Sequence, residues 1–295
     1  MLDIDVLFFE VDTFYQSFVP PESATPRLPG SKRRRNRPAR LHPSEVVTIL
    51  VLFQSSNHRC FKHFYIEHVM VHLRREFPKL VSYQRFVELM PRCLELFFHY
   101  LMTRMGTCTG VSFVDSTKLP VCDNRRIGSH RVMVDVARRG KTSTGWFYGL
   151  KLHIVVSDVG EILGFQITPG NVDDRKPVEH LMRGRFGFLF GDRGYIDSKL
   201  FERLYHKKIK LITKIKKNMK NKLMNLVEKL TLQKRGLVET IFDQLKNEHQ
   251  IQHTRHRSPL NYLVNLLAGL TAYTWREKKP RVAVATAMGP LFAAP

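Results

Sequence analysis

FLFGDRGYID, residues 188 to 197, runs four mostly apolar residues into an aspartate, with a glycine two places later. A strand of Phe and Leu belongs in a core, where a carboxylate is costly unless paired, hydrogen-bonded or coordinating a metal. The role of Asp192 therefore decides what kind of sheet this is. A second segment behaves alike: VSFVDST, from Val111, alternates with the period of a strand and ends on Asp115. If the two strands are neighbours, both carboxylates emerge at one edge of the sheet. Like charges that close need a shared proton or a shared cation. Oxygen-only ligands suit Mg²⁺ or Mn²⁺, which accept one or two carboxylates and leave room for substrate phosphate. The structural alternative is that each Asp caps the turn that follows it.

Around this pair the chain has an α/β texture. WFYGLKLHIVVSD (146 to 158) and EILGFQITPG (161 to 170) predict a hairpin turning at Val159-Gly160. NVDDRKPVEHLMRG predicts a helix capped by Asp173 or Asp174, and DSKLFERLYHKK a helix opened by Asp197. IKLITKI supplies a further strand, and the region from about Met219 to Trp275 is mainly helical. Three antiparallel-capable strands, then strand, helix and strand, make one mixed sheet flanked by helices.

Upstream, residues 1 to 105 read as helical. Ser44 is the expected N-cap of EVVTILVLFQ after Pro43, and Pro91 interrupts the apolar stretch SYQRFVELMPRCLELFFHYLM. The expected organisation is a helical region over 1–105 with a basic linker at 31–40, a mixed-sheet domain over 106–280, and an apolar tail over 281–295.

Charge points to the partner. The chain carries 48 Lys+Arg against 26 Asp+Glu, a formal net charge of +22, and an excess of this size favours a polyanion such as nucleic acid. Lys32, Arg33, Arg34 and Arg35 in the linker, with Lys214, Lys216 and Lys217 in a second tract, are candidate phosphate contacts. The four cysteines lack C-x-x-C spacing, which excludes a disulfide framework and a zinc rhythm. The N-terminus has no cationic leader, and no apolar run reaches membrane-spanning length, so a soluble protein of the cytoplasm, or of the nucleoid of a prokaryote, is expected.

A third acid should complete the site. Glu239, Asp243 and Glu248 lie on one helical stretch, and Glu228 on another; spacing alone does not choose among them. FVDST, WFYGLKLHIVVSDVGEILGFQITPGNVDD, FLFGDRGY and RGLVETIFDQLK, in this order, resemble the catalytic core of DDE-type insertion-sequence transposases, which has an RNase H-like fold. SEVVTILVLFQSSNHRCFKHFY resembles the helical N-terminal part of one bacterial branch. The resemblance implies Asp115, Asp192 and Glu239 as catalytic acids and metal ligands, two divalent ions, and a homo-oligomer on the element's terminal repeats and target DNA. It implies metal-dependent cleavage at element ends and strand transfer. A nuclease of the same fold, or an inactive DNA-binding derivative, are the alternatives. Lys151, His153 and Arg193 are weaker candidates for contacting DNA, and HTRHRS, 253 to 258, is a candidate phosphate clamp.

Overall fold

In the computed structural model, residues 2–18, 39–214, 226–252 and 258–282 are described. Lys32, Arg33, Arg34, Arg35, Lys216, Lys217, His253 to Arg257 and most of the apolar tail lie outside them. The described chain divides into two compact units.

The helical unit takes residues up to 103, together with 248–250 and 260–275. It holds α1 (Ile4–Phe18), α2 (Pro43–Ser55), short turns α3 (Phe61–His63) and α4 (Met70–His72) joined by a π-helical stretch, α5 (Tyr83–Leu89), α6 (Leu94–Thr103) and α11 (Pro259–Thr274). Pro43 occupies the first turn of α2, where its missing N–H costs nothing, and the Glu45 carboxylate reaches back to the His42 N–H at 2.6 Å. The N-cap is thus His42, two residues before the expected Ser44. Ser44 instead donates from its hydroxyl to Asp12 at 2.7 Å. Pro91 breaks its helix into α5, a 3₁₀ turn at Met90–Cys93, and α6. α2 is buried along almost its whole length, so its polar groups need partners. Gln54 finds one in Asn265 of α11, Nε2 to Oδ1 at 2.6 Å, and its carbonyl meets His249 at 2.9 Å. Those contacts hold α11 in this unit, whereas the sequence predicts it within the 106–280 domain.

The second unit is built on a six-stranded sheet: β1 (Val111–Cys122), β2 (Arg138–Thr142), β3 (Gly145–Ser157), β4 (Ile162–Pro169), β5 (Gly187–Gly191) and β6 (Ile209–Thr213). Spatial order is β2-β3-β1-β5-β6, with β4 also paired to β3. β1, β2, β3 and β4 pair antiparallel; β1–β5 and β5–β6 pair parallel. β2 and β4 lie end to end along one edge of β3, β2 against residues 145 to 149 and β4 from Leu150 onward. Gly140 is required at that junction, because a Cβ there would stand 2.1 Å from the Gly170 carbonyl oxygen. This mixed sheet, with helices on it, is the RNase H-like α/β class expected from the sequence.

Helices α7 (Val178–Leu181), α8 (Ser198–His206), α9 (Leu226–Gln233) and α10 (Gly236–Asp243) complete the unit. Asp197 caps α8, accepting the Leu200 N–H at 2.8 Å, and Leu200 and Leu204 are fully buried from its apolar face. They join Val114, Val155, Leu181 and Leu189 in one core cluster. The helix expected over 171 to 184 shrinks to α7, preceded by turns in which Asp173 accepts the Arg175 N–H at 2.9 Å. Among the described residues no helix is long and apolar enough to cross a membrane.

Candidate active site

β1 does not end at Asp115 but continues to Cys122. Its antiparallel ladder with β3 persists beyond Asp115, so the backbone stays paired on that side. What ends is the parallel ladder with β5, which pairs Phe113 with Phe190 as its last register. Asp115 and Asp192 each lie two residues beyond that pair, and side chains two apart share a face. The Phe113 and Phe190 rings lie on one face with centroids 5.5 Å apart. Both carboxylates therefore continue two adjacent rows, with strands about 4.8 Å apart. They stand where the ladder runs out and where β5 gives way to the turn after Gly191.

The surroundings of the two acids differ. Asp192 accepts the Gly194 N–H at 2.7 Å, capping the short 3₁₀ turn Arg193–Tyr195, so the capping role is present here. Asp115 accepts its neighbour's N–H, from Ser116, at 2.8 Å, and its other oxygen receives Arg235 Nη1 at 2.8 Å. Burial nevertheless pushes the Asp115 carboxyl up to about 6, against the pull of Ser116 and Arg235, with the Asp192 charge adding to the rise. Tyr195 is buried beside the same carboxylates. Its phenol is pushed well above its usual value, by burial first and then by Asp115, Asp174 and Asp192.

Glu239 enters from α10. Arg235, in the turn before that helix, gives Nη1 to Asp115 and Nη2 to Glu239 at 2.9 Å. One guanidinium thus links the first acid to the third. Glu239 is largely exposed and Asp115 is not, so the linkage runs from the sheet interior to the surface. Among the described residues no three His, Cys, Asp or Glu side chains close on one point as a metal site would need. Arg235 was missed from sequence. Its spacing of four from Glu239 is an ion-pair signal on a helix, but nothing local reveals its contact with Asp115.

The weaker candidates separate. Arg193 is exposed beside Asp192, and Lys214 is exposed at the end of β6. Lys151 and His153, expected to reach DNA, are buried. Lys151 Nζ donates to the Val172 carbonyl at 2.9 Å and to Asp174 at 2.8 Å. His153 Nε2 meets the Thr168 hydroxyl at 2.8 Å, while Nδ1 lies 3.9 Å from Asp174. Register explains the difference: Ile154 pairs with Asp115 and Lys118 with Lys151, so Lys151 and His153 occupy the sheet face opposite Asp115.

A family model for the transposase DDE domain matches residues 105–259, more than half of the chain. This chain belongs to the DDE transposase family. The match spans Asp115, Asp192, Arg235 and Glu239, which all fall in the second unit. No protein of curated function matches the chain in sequence. Among solved structures it is similar to the piggyBac transposase of a synaptic complex with hairpin DNA. That similarity has 12% identity and a TM-score of 0.47, over 92% of this chain and 71% of that one. It is also similar to the Mos1 transposase of a paired-end complex with the left transposon end. There the identity is 12% and the TM-score 0.23, over 83% and 82%.

Proposed function

We propose that this DDE-family chain is the transposase of a bacterial insertion sequence, cutting the element's ends and joining them to target DNA. The observation that carries this reading is the parallel register of β1 and β5, which carries Asp115 and Asp192 out side by side. The donor set fits a divalent cation: two carboxylates lie close together, and the Asp115 carboxyl remains raised to about 6 even with Arg235 attached. Asp115, Asp192 and Glu239 are the residues that hold Mg²⁺ or Mn²⁺ in this proposal. Bound there, such ions lower the pKa of the attacking hydroxyl and stabilise the leaving oxygen.

The chemistry is phosphoryl displacement. A water oxygen forms a bond to phosphorus while the P–O3′ bond breaks, leaving a free 3′-hydroxyl on the element. That hydroxyl then attacks a target phosphorus, and the target's P–O3′ bond breaks in turn. Arg235 positions Asp115 and Glu239, and Asp192 is held by the Gly194 N–H.

The test is Mg²⁺-dependent nicking and joining of DNA bearing the element's ends. Wild type should nick and join; Asp192→Asn and Glu239→Gln should do neither while still binding that DNA. Nicking that persists in either variant, or in a chelator, rejects the assignment.

A further inference from the structure

The stretch from the end of β1 through β2 to the start of β3, residues 123 to 146, is cationic and largely exposed. Arg125, Arg126, Arg131, Arg138, Arg139 and Lys141 all face solvent, against Asp123 and Asp135. Among the described residues no carboxylate pairs with any of these six cations. Trp146 stands in the middle of this charge and is 51% exposed. It pairs across the ladder with Lys141, so Lys141 and Arg139 share its face of the hairpin. The Arg139 guanidinium carbon lies 4.8 Å from the indole centroid and the Lys141 ammonium 5.6 Å.

The surrounding hairpin is stiff. Asn124 donates to the Trp146 carbonyl at 2.8 Å, and Lys118 reaches the Thr144 hydroxyl at 2.7 Å. Thr142 and Thr144 join hydroxyls at 2.9 Å. The next residue, Phe147, is buried on the other face and anchors the strand. An indole with two cations beside it on a hydrogen-bonded hairpin loses little freedom when something stacks on it.

A core role does not account for it, because half of the residue is in water near the turn of the β2–β3 hairpin. A surface that offers free cations and an exposed aromatic face matches a strand of nucleic acid, which presents phosphates and π-faced bases. We infer that Trp146, Arg139 and Lys141 form a platform on which an unpaired base of a DNA strand stacks while its phosphates meet the two cations. The base must be unpaired or unstacked, since inside a duplex both of its faces are already covered. The platform lies apart from the acids. Ile154 pairs with Asp115, which puts Trp146 about 26 Å further along β3 at ~3.3 Å per residue. The inference rests on the reading of the chain as an enzyme of DNA.

The test uses the full chain carrying Trp275→Phe, so that Trp146 is its one indole, without divalent ions. A single-stranded oligonucleotide should quench Trp146 emission more strongly than the duplex of the same sequence at equal occupancy. Trp146→Ala should weaken single-strand binding roughly 5- to 100-fold and duplex binding less than about two-fold. Trp146→Phe should restore most of the single-strand affinity. Replacing Arg139 and Lys141 by Ala should weaken both ligands and flatten the salt dependence by about two counterions. Unchanged emission at saturating single strand overturns the platform, whether or not the alanine variant folds; so does equal single-strand affinity in wild type and Trp146→Ala. Failure of wild type to nick end-bearing DNA in Mg²⁺ instead removes the transposase reading, and the metal-free binding results still decide the platform.

Discussion

The two faces of the sheet at β1 and β3 each bury charge, and they treat it differently. On one face Lys151 is 7% exposed and donates to both a carbonyl and the Asp174 carboxylate. Arg175 holds the turn that presents Asp174, bonding Asp173 and reaching Asp197 at 3.3 Å. On the other face Asp115 has Arg235 and one backbone N–H, and its carboxyl still sits at about 6. The first arrangement is a satisfied ion pair that fixes a turn. The second retains strain that only more positive charge would relieve, which is how a site for a cation differs from a structural pair.

The largest expected effect breaks this comparison if it fails. Asp115→Asn should lower Mg²⁺-dependent nicking by about a thousand-fold or more, the several kcal/mol that metal assistance supplies. Lys151→Met should lower it by less than about ten-fold per folded molecule. The assay is single-turnover nicking at saturating DNA. A Lys151→Met protein as inactive as Asp115→Asn would place both faces in the chemistry.

Stability should rank them the other way. Lys151→Met leaves Asp174 without its cation. Breaking a fully buried pair costs about 3–5 kcal/mol, and Asp174 is more than a third exposed, so about 1–3 kcal/mol is expected. In contrast, Asp115→Asn should stabilise the metal-free protein at pH 8 by about 1–2 kcal/mol, since it removes an ionised carboxylate that burial disfavours. Urea unfolding midpoints of the two variants should therefore move in opposite directions.

Much of the sheet was legible because its local signals agree with its tertiary setting. β3 and β4 show their turn, Asp197 shows its cap, and α8 shows its apolar face. β2 was not legible: RRGKT holds no apolar residue, and on an edge strand its inward position is Gly140, packed beside Phe147. The end of β1 was misread because Asp115 looked terminal, while the strand's continuation depends on β3, which enters much later in sequence. Arg235 was invisible for the same reason, since its bond to Asp115 spans 120 residues. α11 carries a strong helical pattern that says nothing about which unit buries it, and Gln54 and Asn265 decide that.

The pH dependence of stability is the sharpest test of the two-face contrast, because it separates the faces in the sign of a slope. Folding raises the Asp115 carboxyl from its ordinary 3.8 to about 6, so the folded state favours its protonated form. Its stabilising contribution is full below about pH 4 and is lost as pH rises through 6. His153 shifts the other way, held down to about 4 by burial, with Asp174 opposing and Lys151 assisting. The folded state favours its neutral form, so that contribution is present above pH 6.5 and is lost as pH falls toward 4. Subtracting wild type cancels the other titrating groups. The stability difference for metal-free Asp115→Asn should rise by about 2 kcal/mol from pH 4 to 6.5, and that for His153→Gln should fall by a similar amount over the same interval. Chemical denaturation at five or six pH values measures both slopes. Two differences sloping in the same direction would mean that the two faces do not carry opposite charge strain, and the contrast between a structural pair and a cation site would fail.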